Sequence, residues 1–259
     1  MANSPSPILQ TINLSKSFGG RQSLADVSFD VHPQECLGVI GPNGAGKTTL
    51  FNLLTGFYHP TSGSIFWQEK AIHGCSPAWI ARQGIARTFQ NIRLFKQLSV
   101  LENVRIAYDA RLSYTPLGAL LRTPFARQQE SGSNKAALEL LGMLGMADVA
   151  QQPAGSLSYG FQRRLEIARA LALNPKLLLL DEPVAGMNEH EMAEVLDLLR
   201  WVQREFSSTF ILIEHHMGFV MELCQRLLVL DFGSLIAEGS PSEIKSNQRV
   251  IEAYLGTEG

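Results

Sequence analysis

Four short stretches in the first third of the chain read as β-strands separated by turns. They are ILQTINL (8–14), DVSFDV (26–31), ECLGVI (35–40) and SIFWQ (64–68). Glycines and prolines lie between these stretches and mark the turns. The segment TTLFNLL follows a glycine-rich loop, so we expect a helix to begin directly after Gly46.

The middle of the chain, from about 75 to 172, has a helical pattern. Ser99 and Glu102 have the spacing of a capping box ahead of a periodic segment. Residues 109–134 are irregular, with two prolines and a polar end, and we expect a surface loop there with room for one short helix. No function follows from this segment.

Strands and helices alternate from residue 177 onward. LLLLD is a short, fully apolar strand, as in a parallel sheet that is buried on both faces. The predicted elements after it are a helix from Asn188 to about 205, a strand at 209–213, a helix at about 216–225, a hairpin of 227–230 with SLIAEG, a helix capped by Ser240 and a helical VIEAYLG. This alternation predicts an α/β core into which the helical middle is inserted as a second lobe.

Composition and charge exclude several classes of protein. The 259 residues carry a net charge of −2, which gives no sign of a binder of the nucleic-acid backbone. Cys36, Cys75 and Cys224 show no CxxC or metal-binding spacing, so we expect reduced thiols in a cytosolic protein. The start of the chain lacks the pattern of a signal peptide, and no apolar run is long enough to span a membrane. If this protein serves a membrane, it does so through partners.

The loop GPNGAGKT (41–48) lies between a predicted strand and a predicted helix, which is the context that the phosphate-binding motif G-x-x-x-x-G-K-T requires. Its glycines let backbone amides surround a phosphate, and the helix N-terminus adds partial positive charge. Lys47 supplies a charge to the β- and γ-phosphates, and the Thr48 hydroxyl is a ligand for Mg²⁺. The predicted nucleotide-binding residues are Gly41, Pro42, Asn43, Gly44, Ala45, Gly46, Lys47, Thr48 and Thr49.

Two further strands end in residues that suit hydrolysis of a nucleoside triphosphate. LLLLDEP places Asp181 and Glu182 at the carboxyl end of a strand, the edge at which open α/β sheets bind ligands. We expect Asp181 to orient magnesium and Glu182 to deprotonate the attacking water. TFILIEHHM ends in two histidines, of which His215 can reach the γ-phosphate, whereas the role of His216 stays open.

These motifs occur in one order along the chain together with LSYGFQRRLEIARAL (157–171). In this order and spacing the chain resembles the ATP-binding subunit of an ABC transporter, from about residue 8 to 256. LSYGF is similar to the family's Leu-Ser-Gly-Gly-Gln signature, which binds the γ-phosphate of ATP held by a second, head-to-tail cassette. The resemblance therefore assigns Ser158, Tyr159 and Gly160 to the nucleotide of a partner cassette. A hydroxyl and the amides of a helix N-terminus suit that anion.

The resemblance assigns two more residues by position. Phe18, in KSFGG, matches the aromatic residue that stacks on adenine, and a buried core aromatic is its alternative interpretation. Gln90, in ARTFQ, matches a glutamine that contacts magnesium and links the two lobes. The metal ligands are then Thr48, Gln90 and Asp181, and the catalytic residues are Glu182 and His215.

The chain departs from the family pattern at four positions. Tyr159 replaces a glycine, and Phe161 replaces a glutamine whose amide could act at the interface. Asn188 replaces an aspartate, so it either hydrogen-bonds across a dimer or caps the following helix. His216 replaces an aspartate that in the family commonly follows the histidine at the position of His215. The effect of these departures stays open.

The resemblance implies an α/β P-loop NTPase core with a mixed sheet, an N-terminal antiparallel β subdomain and an inserted α-helical subdomain. In one domain over 8–256, the core comprises 8–90 and about 174–256, and the helical subdomain about 91–173. Its expected partners are a second ABC ATPase subunit (paralogue or self), two transmembrane permease subunits and, indirectly, an extracytoplasmic substrate-binding protein. No nucleic acid is expected. Its expected place is peripheral, on the cytoplasmic face of the inner membrane.

Several stretches resemble the branched-chain amino-acid importers, among them TGFYHPTSG, ARTFQNIRLF, LSYG, AGMN and VIEAYLG. The expected function is thus ATP hydrolysis that energises uptake of branched-chain or other neutral amino acids. Urea import and lipopolysaccharide export are the alternatives within the family. A soluble ABC protein of translation or repair is less expected because the chain has neither a second cassette nor a heptad insertion. A P-loop small-molecule kinase would lack the Leu-Ser-x-Gly helix.

Overall fold

The N-terminal strands form an antiparallel sheet in this computed structural model, which describes residues 6–110 and 124–255. Its order is β2-β1-β4-β5. The strands are β1 (Leu9–Phe18), β2 (Arg21–Val31), β4 (Ser62–Trp67) and β5 (Lys70–Ala71).

A second sheet of six strands holds the centre of the fold, in the order β10-β9-β3-β8-β7-β6. Its strands are β3 (Cys36–Ile40), β6 (Ile85–Arg87), β7 (Leu177–Asp181), β8 (Thr209–Ile213), β9 (Arg226–Asp231) and β10 (Ser234–Gly239). All neighbouring pairs are parallel except β9 and β10, which are antiparallel. The carboxyl ends of β3, β6, β7 and β8 therefore meet at one edge of the sheet.

Nine helices occur in the described residues. They are α1 (Lys47–Leu54), α2 (Pro77–Arg82), α3 (Val100–Asp109), α4 (Pro124–Met143), α5 (Tyr159–Ala172), α6 (Glu189–Glu205), α7 (Met217–Leu223), α8 (Pro241–Lys245) and α9 (Gln248–Leu255), with short 3-10 turns at Ala147–Val149 and Ala154–Ser156. Three of them begin with a capping box in which both reciprocal hydrogen bonds form, at Ser99, Asn188 and Ser240. None of the described helices combines the length and the apolar composition that a membrane span requires.

The central sheet is buried on both faces, which explains its unbroken apolar strands. Along β7, Leu178 and Leu180 pack into the core that includes helices α3, α5 and α6. Leu177 and Leu179 pack on the opposite face, into the core between the two sheets and α1. Because one strand contributes to both cores, its carboxyl end is held firmly in place.

The α/β fold class predicted from the sequence is confirmed, and most predicted elements begin and end within a few residues of their predicted limits. Two expectations were wrong. The segment 109–134 was expected to be a loop with room for one short helix, but residues 124–134 begin α4, a continuous helix of 20 residues, and β6 lies within a segment that the pattern marked as helical. Ala137, Leu140 and Leu141 are buried and anchor the second half of α4. This packing stabilises the helix although Gly132 lies in its interior, where glycine is unfavourable. The expected loop residues 111–123 lie outside the described residues.

Candidate nucleotide-binding and hydrolysis site

The loop after β3 folds around the ammonium group of Lys47. Lys47 Nζ donates to the carbonyl oxygens of Gly41 at 2.6 Å and Pro42 at 2.9 Å. Gly41, Gly44 and Gly46 all have positive φ angles, of 147°, 81° and 104°. Only glycine adopts such angles readily, so the turn depends on these residues.

Two of these glycines are also in close contact with neighbouring backbone. A Cβ atom at Gly41 would lie 2.0 Å from the carbonyl oxygen of Leu230, at the end of β9. At Gly46 it would lie 2.7 Å from the carbonyl oxygen of Ser23, in β2. The loop is therefore fixed against both sheets, and its shape is set before any ligand binds.

Lys47 carries its charge while it is buried, with 7% of its surface exposed. Burial lowers the pKa of its ammonium group, and the nearby carboxylate of Glu182 opposes that shift. An anion bound in the loop would favour the charged form further.

A cavity of about 330 Å³ opens beside the loop and brings Thr48, Gln90 and Asp181 together. The three residues come from the start of α1, from the segment after β6 and from the end of β7. They are the three side chains that the sequence assigned to a metal ion, and all of them line one space.

Asp181 already has a cationic partner in this structure. Arg87 Nη2 lies 2.7 Å from Asp181 Oδ2, and both side chains are 7% exposed. Arg87 Nη1 donates to Asn52 Oδ1 at 2.7 Å, which joins β6 to α1. The sequence analysis missed Arg87, although it lies three residues before Gln90 in the stretch ARTFQ.

Glu182 follows Asp181 in a left-handed conformation, with φ of 48°. Such a backbone costs about 1–2 kcal/mol in a non-glycine residue and persists where the surroundings impose it. The Glu182 amide donates to the Ile213 carbonyl at 2.8 Å, which holds the turn against β8. Gln90 Nε2 donates to Glu182 Oε2 at 2.7 Å, and His215 Nε2 lies 3.0 Å from Glu182 Oε1. The structure thus brings three predicted site residues into direct contact.

Glu214 organises the loop that carries the histidines, a role the sequence analysis did not assign. Its carboxylate is buried and accepts the amides of Val184 at 3.1 Å, His215 at 2.6 Å and His216 at 3.1 Å. His216 Nδ1 lies 3.2 Å from the same carboxylate. His216 therefore helps to hold this loop, while the His215 ring faces Glu182.

The signature segment is linked to other parts of the chain than the phosphate loop, as far as the described residues show. Ser158 is the N-cap of α5, but its hydroxyl makes no cap bond to that helix. Among the described residues, no hydrogen bond joins Ser158, Tyr159 or Gly160 to residues 41–49. The Tyr159 hydroxyl donates to the carbonyl of Ala185 at 3.0 Å, so the tyrosine links the signature segment to the loop after Glu182. Phe161 lies under the guanidinium of Arg164, with 5.4 Å from Cζ to the ring centroid.

The structure also shows the surroundings of Asn188 and Phe18. Asn188 Oδ1 accepts the Glu191 amide at 3.0 Å, so it caps α6, the second of its two interpretations. The Phe18 side chain is 43% exposed at the end of β1, packs edge-on against Tyr58 at 5.1 Å and lies below the Lys16 ammonium at 4.9 Å. Because the ring is not buried in the core, a face remains open for stacking.

The residues present fit a nucleotide with its magnesium ion. The loop offers backbone amides, and a side chain larger than glycine at Gly41 or Gly46 would push its main chain out of place. Lys47 adds a cation. Thr48 and Asp181 offer the oxygen ligands that Mg²⁺ prefers, within one cavity. The donor set therefore suits a hard cation beside a polyphosphate.

Comparison with known proteins gives the family. A family model described as ABC transporter matches residues 24–185, and one described as branched-chain amino acid ATP-binding cassette transporter matches residues 234–259. The Escherichia coli (strain K12) high-affinity branched-chain amino acid transport ATP-binding protein LivG is 42% identical over 250 residues, 96% of this chain and 98% of LivG. The corresponding Pseudomonas aeruginosa protein BraF is also 42% identical, with the same coverage.

Solved structures agree with this assignment. A nucleotide-free ATP-binding cassette from an ABC transporter has a TM-score of 0.83 and 32% identity, covering 96% of this chain and 98% of that one. A cassette in its ADP conformation has a TM-score of 0.83 and 33% identity, covering 96% and 99%. The chain therefore belongs to the ABC transporter family, as an ATP-binding, ATP-hydrolysing cassette of the branch that contains the branched-chain amino acid transport proteins.

Proposed function

We propose that this cassette energises the uptake of branched-chain or other neutral amino acids as the ATPase subunit of an importer. One observation carries the catalytic part: Glu182 is in hydrogen-bond contact with both Gln90 and His215 beside the lysine of the phosphate loop. The substrate class rests on the 42% identity to LivG and BraF over 96% of this chain, together with the family match at the C-terminal end.

The phosphates of ATP bind in the loop 41–48, where Lys47 donates to them in place of the carbonyls that it contacts here. Thr48, Asp181 and Gln90 are the residues that would hold Mg²⁺, and Asp181 is paired with Arg87 in this structure. When bound, the ion neutralises charge on the β- and γ-phosphates. Phe18 offers its exposed ring to the adenine base.

Glu182 acts as the general base that takes a proton from the attacking water. Each carboxylate oxygen has two lone pairs. Either oxygen can therefore accept the proton of the water while it keeps its contact with Gln90 or His215. His215, which is 42% exposed on its side chain, orients the carboxylate and senses the γ-phosphate. Loss of such a base lowers the rate by about 10²–10⁴-fold.

Ser158, Tyr159 and Gly160 act on the nucleotide of a second cassette. The Ser158 hydroxyl makes no bond to its own helix, and the amides at the start of α5 suit an anion. Two cassettes then close over two ATP molecules, and ATP stabilises the closed form because it binds that form more tightly. The second cassette is a copy of this chain or a paralogue.

A transport function requires two further kinds of partner, permease subunits and a substrate-binding protein. Two permease subunits dock on the cassettes near Gln90, and an extracytoplasmic binding protein delivers the amino acid to them. The chain lies at the cytoplasmic face of the inner membrane, held by the permeases.

The test is uptake of radiolabelled leucine, and separately of urea, in a strain that lacks the gene for this chain. Restored leucine uptake by the wild-type chain, with none by Glu182→Gln, supports the proposal. Uptake of leucine at wild-type rate without the chain, or restoration of urea uptake alone, contradicts the substrate class. ATP hydrolysis by the purified chain is measured in parallel and tests the catalytic part by itself.

A further inference from the structure

Arg163 is an arginine buried without any exposed side-chain surface, in the second turn of α5. Its Nη1 donates to the carbonyl of Phe89 at 2.9 Å and to Glu166 Oε2 at 2.7 Å. Its Nη2 donates to the carbonyl of Gln90 at 3.1 Å and lies 3.4 Å from the carbonyl of Glu182. A buried guanidinium persists only where partners replace its lost hydration, and here three of them are main-chain oxygens of the catalytic loops.

Glu166, one turn further along the helix, completes the arrangement. Its side chain is 6% exposed, and Oε1 accepts the amide of Phe89 at 3.0 Å. The pair thus binds both the N–H and the C=O group of Phe89, and the C=O of the next residue. These contacts fix the main chain that carries the Gln90 side chain.

The loop that carries Gln90 and the loop that carries Glu182 both contact helix α5. The main chain at Gln90 and at Glu182 contacts the same guanidinium, while the side chains of these residues contact each other at 2.7 Å. The helix that supplies these contacts is the one that begins at the signature residues, and Tyr159 adds a contact from the helix start to Ala185. A shift of α5 would therefore move the main chain that carries Gln90 and Glu182.

We propose that Arg163 and Glu166 are positioning residues, which couple the signature helix to the placement of Gln90 and Glu182. The proposal rests on hydrolysis at Glu182, and neither residue touches the nucleotide. Misplacement of a reacting group by about 1 Å can cost about 10²-fold in rate, so main-chain contacts of this kind affect turnover before they affect binding.

The first experiment compares Arg163→Lys with Arg164→Lys in the full chain. Lysine keeps the charge but lacks the planar fork that reaches several carbonyls at once. Arg164 is the matched control, because it is the next residue on the same helix and pairs with exposed Glu194 at 3.4 Å. For Arg163→Lys we expect kcat for ATP hydrolysis to fall at least about tenfold, with KM changed less than about twofold. For Arg164→Lys we expect kcat within about twofold of wild type.

A second measurement separates positioning from simple destabilisation. Thermal unfolding of each variant fixes an assay temperature at which all chains are folded. Arg163→Lys is then combined with Gln90→Ala, which removes the side chain that contacts Glu182. If Arg163 acts through this loop, the combined loss of kcat is smaller than the product of the single losses.

Two results overturn the proposal: an Arg163→Lys chain that melts at lower temperature but keeps wild-type kcat, or losses that multiply in the double variant. If the lysine variant does not fold, Glu166→Gln carries the same test, since glutamine is isosteric but has one acceptor oxygen, so it loses the charge and either the bond from the Phe89 amide or the bond from Arg163. A wild-type chain and an Arg164→Lys chain that both lack ATP hydrolysis overturn the proposed function itself. Hydrolysis by these two chains shows that any failure concerns only the positioning pair.

Discussion

The shape of the phosphate loop can be tested with two glycines that differ in their surroundings. Gly44 and Gly46 both have positive φ angles, of 81° and 104°. A Cβ atom at Gly44 would have no neighbour within 4 Å, whereas at Gly46 it would lie 2.7 Å from Ser23 O and 2.9 Å from Leu24 Cδ2. Gly46→Ala therefore adds a steric conflict to backbone strain, and Gly44→Ala adds backbone strain alone.

The expected free energies follow from these two contributions. A left-handed backbone costs a non-glycine residue about 1–2 kcal/mol, which applies to both variants. Forcing extra atoms into a packed site costs about 1–3 kcal/mol more, which applies to Gly46→Ala only. The Ser23 oxygen belongs to the main chain of β2 and cannot turn away as a flexible side chain could. We expect Gly46→Ala to lose about 2–5 kcal/mol of unfolding free energy and Gly44→Ala about 1–2 kcal/mol.

Urea unfolding of the three nucleotide-free chains measures this difference. Equal losses for the two variants, or a Gly46→Ala chain as stable as wild type, would refute the packing of this loop against β2. Measurement without nucleotide matters, because an added methyl group at Gly44 could also contact the phosphates.

Three further predictions concern single side chains. Glu182→Gln should bind ATP as wild type does yet hydrolyse it at least about a hundredfold more slowly; near-normal turnover in a phosphate-release assay would remove Glu182 from the role of base. Lys47→Met should lose tight ATP binding, because the buried ammonium is the cation of the loop; unchanged affinity by equilibrium binding would contradict the assignment. Hydrogen bonds from the amide and hydroxyl of Ser99 hold the pKa of Glu102 below its ordinary 4.5. The ionised carboxylate therefore stabilises the fold above pH 4.5, and this stabilisation is lost as the pH falls through the lowered pKa of the folded state. Glu102→Gln should accordingly lose less stability than wild type between about pH 5 and pH 3 in thermal melts, and an equal loss would count against the cap.

Local patterns in the sequence predicted much of the fold because their physics is local. The capping boxes at Ser99 and Asn188 need only residues three apart; the first forms as expected, and the second forms as one of the two interpretations of Asn188 allowed. The strand β7 is apolar at every position before Asp181, as burial on both faces requires. The phosphate loop is a contiguous stretch whose glycines impose its turns.

Contacts between distant segments could not be predicted in this way. Arg87 pairs with Asp181, 94 residues away, and Arg163 reaches main-chain oxygens 73 and 74 residues away. Nothing in the pattern around these arginines distinguishes them from a less buried one such as Arg164. The strand β6 has three residues, too few for a period to emerge, and is a strand because β7 lies beside it. Glu214 likewise gains its role from the loops that the sheet brings around it.

The central claim is that ATP binds between two cassettes, each of which supplies half of the site. The most direct test is a solved structure of the Glu182→Gln chain with its partner cassette, ATP and magnesium. The account predicts that Ser158 and Gly160 contact the γ-phosphate of the nucleotide held by the partner, and that Lys47 of this chain contacts its own nucleotide. A structure in which Ser158 and Gly160 contact the nucleotide of their own chain, or contact none, would contradict it.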